Sequence, residues 1–139
     1  MLDGVRERCN AIEECYELML GFAAQGLPGE SGGRGSEVRL MLNRAVEALS
    51  GLSEAYTNAV RDARLQPAGP YLEFLKVLER DAADSRAAME LVLAQPSIGS
   101  QLIDNLNASI HLRALLTDLF LIDEILRPLP ESANPASTT

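Results

Sequence analysis

His111 is the only histidine in the chain, so any imidazole chemistry must run through it. Helical spacing stacks it with Ser100, Asp104, Asn107 and Asp118, a polar stripe beside an apolar face. A histidine presented this way and followed by Leu112 and Arg113 is a candidate phosphoacceptor. The plainer reading is a half-exposed ring hydrogen-bonded to an aspartate. Metal chemistry has weaker support. A di-iron bundle needs Glu-x-x-His on each of two helices plus two further glutamates, and one histidine cannot supply that. Cys9, Cys15 and His111 would have to converge to hold zinc. Cys9 falls on an apolar seam as a small core residue, whereas Cys15 diverges from it. The chain is therefore expected to need no metal and no cofactor. Cys15, beside Glu13, Glu14 and Glu17, is expected to be a poor thiolate because those charges oppose its ionisation. The three glutamates could meet a cation or a basic partner, or simply be solvated surface.

The string Ser109-Ile110-His111-Leu112-Arg113 is similar to the H-box of dimerisation-phosphotransfer modules, which implies phosphoryl transfer on His111. It lacks the acid that the box carries between histidine and leucine, and the proline that follows. The lysine and small residue of histidine phosphotransfer domains are not matched either. A second anion-binding possibility is Gly33, Arg34, Gly35 and Ser36, which present backbone N–H groups, a guanidinium and a dipole end at the start of a helix. No lysine completes a Walker pattern, and no strand precedes these glycines. No serine sits in a nucleophile elbow. Tyr16, Tyr56 and His111 are the polar groups that could line a small-molecule pocket between helices.

Four helices would position these residues. The first, roughly 2–25, places Leu2, Val5, Cys9, Ile12, Tyr16, Met19 and Ala23 at steps of three and four, with Gly26 as its cap. Ser36 is an expected N-cap for the second, which runs to about Gln66 before Pro67. Its seam is Val38, Leu42, Ala45, Leu49, Leu52, Tyr56, Ala59 and Ala63, with Gly51 either a mild defect or a close crossing. The third runs from about Tyr71 to Ala94, Pro70 suiting its first position, and buries Tyr71, Leu75, Leu78, Ala82, Met89 and Val92. The fourth, roughly Ser100 to Arg127, has Ala108, Leu112, Leu115, Leu119, Ile122 and Leu126 on one seam. Residues 128–139, rich in proline, serine and threonine, read as a flexible tail. The expected fold is all-α, an antiparallel up-down-up-down four-helix bundle over residues 1–127.

Composition sets the outer limits. The chain has 139 residues, 47% of them hydrophobic, enough for one domain with a real core. A net charge of −8 opposes nucleic-acid binding, and no apolar run is long enough to span a membrane. The two cysteines, about 120° apart on one helix, are too few and too divergent for a disulfide framework. With no secretion signal at the N-terminus, they imply a reducing cytoplasm. Lys76 is the only lysine among 12 basic residues, a codon bias of GC-rich bacterial genomes.

The fourth helix carries more apolar surface than one seam needs. Ile110, Leu116, Phe120, Leu121 and Ile125 are extra, and they predict an interface. The expected function is non-catalytic, an accessory, regulatory or chaperone-like protein working through protein–protein contact as a homodimer. The alternatives are phosphotransfer by His111 and ligand binding between the helices.

Overall fold

A computed structural model describes residues 2–29 and 32–127, with side chains described from Gly4 to Gly29 and from Ser36 to Arg127. The expected tail at 128–139 lies outside the described residues. All described secondary structure is helical. There are six helices among the described residues rather than four: α1 (Leu2–Ala24), α2 (Gly32–Leu49), α3 (Leu52–Asp62), α4 (Ala68–Leu93), α5 (Ser100–Asn107) and α6 (Ile110–Leu126). Helix α1 packs along α2 and α5 and touches α3, while α4 packs on α6, α3 and α2.

The two extra breaks differ in physical origin. At Ser50-Gly51 the expected second helix is interrupted, but Leu49, Leu52 and Tyr56 keep the three-four rhythm and all are buried. The seam therefore continues across the break. The side chain of Arg8 crosses from α1 and donates from Nη1 to the carbonyls of Ala48 (2.9 Å) and Glu47 (3.3 Å). It satisfies the Ala48 carbonyl at the end of α2 and joins the Ser50 N–H on that of Glu47. At Ala108-Ser109 the break changes phase instead. The buried positions of α5 end at Leu106 and Asn107, and those of α6 resume only at Leu112. A continuous helix would have landed next near residue 110, so the buried faces of a straight rod would point in different directions. Breaking the rod lets both faces turn inward and swings Ile110 out, 73% exposed. The Ser109 hydroxyl then caps the new helix, accepting from the Leu112 N–H at 3.3 Å.

Other boundaries also shift. Helix α2 starts at Gly32, so Ser36 lies inside it and is not its N-cap. Helix α3 ends at Asp62, with Arg64 in the left-handed region (φ 54°), four residues short of Gln66. Helix α4 starts at Ala68, which puts Pro70 at the third helical position. There its missing N–H costs nothing, because no first-turn N–H has an intrahelical acceptor. Gly26, at φ 67°, closes α1 as expected.

The core of α1 consists of Val5, Cys9, Ile12, Cys15, Met19 and Phe22, each at most 5% exposed. A strict seven-residue repeat points to Tyr16 and Ala23. Because α2, α5 and α3 all pack on α1, its buried face is wider than that single seam, and Cys15 and Phe22 take inner positions while Tyr16 and Ala23 only flank the core. Cys15 is thus a core residue, not an off-seam one. A latch ties the end of α1 to the start of α5. The Ser100 hydroxyl donates to the Phe22 carbonyl (2.6 Å) and accepts from the Leu27 N–H (2.8 Å), while the Ser100 N–H donates to the Leu27 carbonyl (2.8 Å). Gly99 permits this approach, since a Cβ there would stand 2.6 Å from the Pro28 carbonyl oxygen.

Candidate functional site

The outer face of α6 and the groove it forms with α4 hold most of the candidate residues. Among the described residues, seven large hydrophobic side chains are strongly exposed, and four of them are on α6: Ile110 (73%), Phe120 (62%), Leu121 (51%) and Ile125 (47%). Leu116 is different. It is 7% exposed and belongs to the core of its own chain, so it is not available to an interface. The inner side of α6 is already filled by Leu112, Leu115, Leu119, Ile122 and Leu126, which leaves the four exposed residues no place in the interior. Toward the C-terminal end of α6, Leu121, Ile122 and Ile125 face Pro67, Pro70, Tyr71 and Phe74 across an apolar groove of about 390 Å³. The α4 side of this groove has no sequence signal as a site, because Tyr71 falls on the expected inner face of its helix.

Further along the α4–α6 seam the lining becomes polar. The Ser85 hydroxyl donates to the His111 carbonyl at 2.9 Å. The His111 ring is half exposed, and its Nδ1 lies 3.9 Å from Oδ2 of Asp84. The aspartate beside it is therefore on the neighbouring helix, not on the expected stripe, because the break at Ala108-Ser109 separates His111 from Asp104 and Asn107. Asp118, 8% exposed, lies against Asp81 of α4. Burial first, and then the facing Asp81 carboxyl, push the Asp118 pKa up to about 7. Its Oδ2 is enclosed without a hydrogen-bond partner, as are both side-chain atoms of Asn107. A single acid in the apolar run Leu115–Ile122 was the sequence signal for this pair. Its partner could not be read, because Asp81 resembles the solvated charges around it.

The second polar cluster is internal. The Tyr56 hydroxyl donates to Oδ1 of Asp123 at 2.5 Å, which leaves its oxygen to accept from the Cys9 thiol, 3.2 Å away. Burial pushes the Cys9 thiol up to about 11, and burial likewise raises Tyr56, so both are protonated donors at neutral pH. Asp123 is raised by burial, against the opposing pull of the Tyr56 hydrogen bond, Arg127 and Arg6. This chain of hydrogen bonds joins α1, α3 and α6. Cys15 is pushed up to about 12 by burial alone, so its low reactivity has a different cause from the glutamate repulsion expected of it.

The residues proposed for a ligand pocket are not brought together. Tyr56 is fully enclosed with its hydroxyl at Asp123, which is roughly 18 Å along α6 from His111. The same separation keeps Cys9 and His111 from sharing a metal. No group of three or more His, Cys, Asp or Glu among the described residues could hold a metal ion. Gly33, Arg34 and Gly35 lie in the first turn of α2, and Ser36 is exposed one position further on. No described helix is long and apolar enough to cross a membrane. Compared with known proteins, the chain matches no family model, no curated protein and no solved structure.

Proposed function

We propose that this chain is a non-catalytic helical protein that acts through protein–protein contact, with a second copy of itself as partner on the outer face of α6. On this reading α2 with α3, and α5 with α6, each behave as one broken rod, and the fold is an antiparallel bundle of four rods. The observation that carries it is the clustering of exposed Ile110, Phe120, Leu121 and Ile125 on one short helix whose opposite side already fills the core. Leaving such side chains in water forfeits roughly 1.5–3 kcal/mol each relative to full burial. The adjoining groove adds Tyr71 and Phe74 to the same surface.

Leu121→Glu tests the reading. Leu121 is 51% exposed, so the substitution leaves the folded monomer intact while placing a charge in the middle of the contact. Light scattering is expected to give a dimer mass for the wild type and a monomer mass for the variant, with matching helical circular dichroism. A monomeric wild type at 100-micromolar-scale concentration, or a variant that stays dimeric, removes the α6 face from function.

A further inference from the structure

We infer that two copies meet through α6 in an antiparallel, two-fold arrangement, with Arg113 of each copy paired to Glu124 of the other. The inference rests on the association proposed above and specifies its geometry. The exposed stripe of α6 is palindromic. Around the helix, Ile110, Ala114, Leu121 and Ile125 fall within about 60° of one another, with Thr117 at the edge of the same stripe and Phe120 outside it, beyond Arg113 and Glu124. Along the helix, the pair Ile110 and Ile125 and the pair Ala114 and Leu121 are both centred between Thr117 and Asp118. A two-fold axis through that centre lays Ile110 on Ile125 and Ala114 on Leu121 of the other copy. The small Ala114 leaves room for the larger Leu121. A parallel pairing would instead stack Ile on Ile and Ala on Ala, and leave a gap at Ala114.

The flanking charges obey the same symmetry. Arg113 and Glu124 lie on one side of the stripe, about 20° apart around the helix, and are centred one residue from the apolar pairs. In an antiparallel pair the same flank of each helix faces its counterpart, so each Arg113 meets a Glu124 and the two contacts repeat across the axis. Arg113 is exposed and has no ion-pair partner among the described residues. Glu124 is held only by Arg127 at 3.0 Å, and both side chains are about 70% exposed. The dimer therefore gives Arg113 an acid while leaving the Glu124–Arg127 contact in place. In a molecule of net charge −8, this flank is one place where two copies attract rather than repel.

Two experiments on the full chain test the geometry. In sedimentation equilibrium, Arg113→Glu and Glu124→Arg are each expected to weaken dimerisation about 5- to 30-fold, because each turns two symmetry-related attractions into repulsions. The double variant is expected to return to within a few-fold of the wild type. In the second experiment, Ile110→Cys and Ile125→Cys are oxidised separately and mixed. A disulfide-linked dimer is expected only in the mixture, since the native thiols Cys9 and Cys15 are buried. A wild-type dimer that ignores the charge swap, or cross-links each cysteine variant to itself, overturns the antiparallel arrangement while leaving association intact. A monomeric wild type overturns both.

Discussion

Replacing Asp118 by asparagine is expected to remove most of the pH dependence of stability between pH 5 and pH 8. Asp118 is buried against Asp81, and the folded chain holds its proton up to about pH 7. The unfolded chain releases that proton near pH 4. Between those values the folded state binds more protons than the unfolded one, so stability is full on the acid side and falls as pH rises through about 7. At 1.36 kcal/mol per pH unit the gross loss over the two units from pH 5 to about 7 is about 3 kcal/mol. Asp81 is only partly buried, and solvent screening of its charge reduces this to about 2 kcal/mol. The asparagine keeps the shape, carries no charge, and can donate an N–H to the Asp81 carboxylate. Urea unfolding followed by helical circular dichroism should show the wild type about 2 kcal/mol less stable at pH 8 than at pH 5. The variant should be nearly level between them, with a melting temperature at pH 8 roughly 6–10 °C above wild type. A shallow slope of the same sign should persist, because Asp123 and Glu13 are also raised by burial. Equal wild-type stability at the two pH values, or a variant that keeps the full slope, refutes the assignment of a retained proton to Asp118.

Two substitutions probe the internal contacts. Tyr56→Phe keeps the ring but leaves the half-buried Asp123 without its 2.5 Å donor and Cys9 without an acceptor, so a loss of about 1–3 kcal/mol is expected in chemical denaturation. Gly99→Ala places a methyl group against the Pro28 carbonyl and should cost about 1–3 kcal/mol, with hydrogen exchange accelerated at the Leu27 and Ser100 amides. An unchanged melting temperature for either variant would contradict the role given to that contact.

The helical class and most of the core were legible because periodicity depends only on which residues avoid water. Every seam position from Val38 to Ala59 is buried, even across a break that the sequence marked only with Gly51. Ile110, Phe120, Leu121 and Ile125 could be picked out as surplus for the same reason. What escaped were quantities set by phase and by neighbours. Cys15 and Leu116 lie beside the expected seams, and they are buried because several helices pack on α1 and the inner face of α6 is wider than one row, a width that neighbours set and periodicity does not. The break at Ala108-Ser109 has a visible cue in Asn107 and Ser109, two residue types that favour helix ends, but the apolar run that follows conceals it. The pairing of His111 with Asp84, and of Asp118 with Asp81, joins residues on different helices, and no spacing within one helix encodes it.

Arg8 is not the only arginine that closes a helix other than its own. Arg39, from α2, donates to the Leu93 carbonyl (2.8 Å) and the Gln95 carbonyl (3.1 Å) at the end of α4. Neither α2 nor α4 has a basic residue in its own last turn, where a cation would offset the negative end of the dipole. The charge that closes these two helices thus arrives from another helix, α1 serving α2 and α2 serving α4. A peptide cut to the length of either helix would lack its terminator and fray. The chain in this respect is a relay, in which loosening the first helix unseats the end of the second and couples local melting to global unfolding.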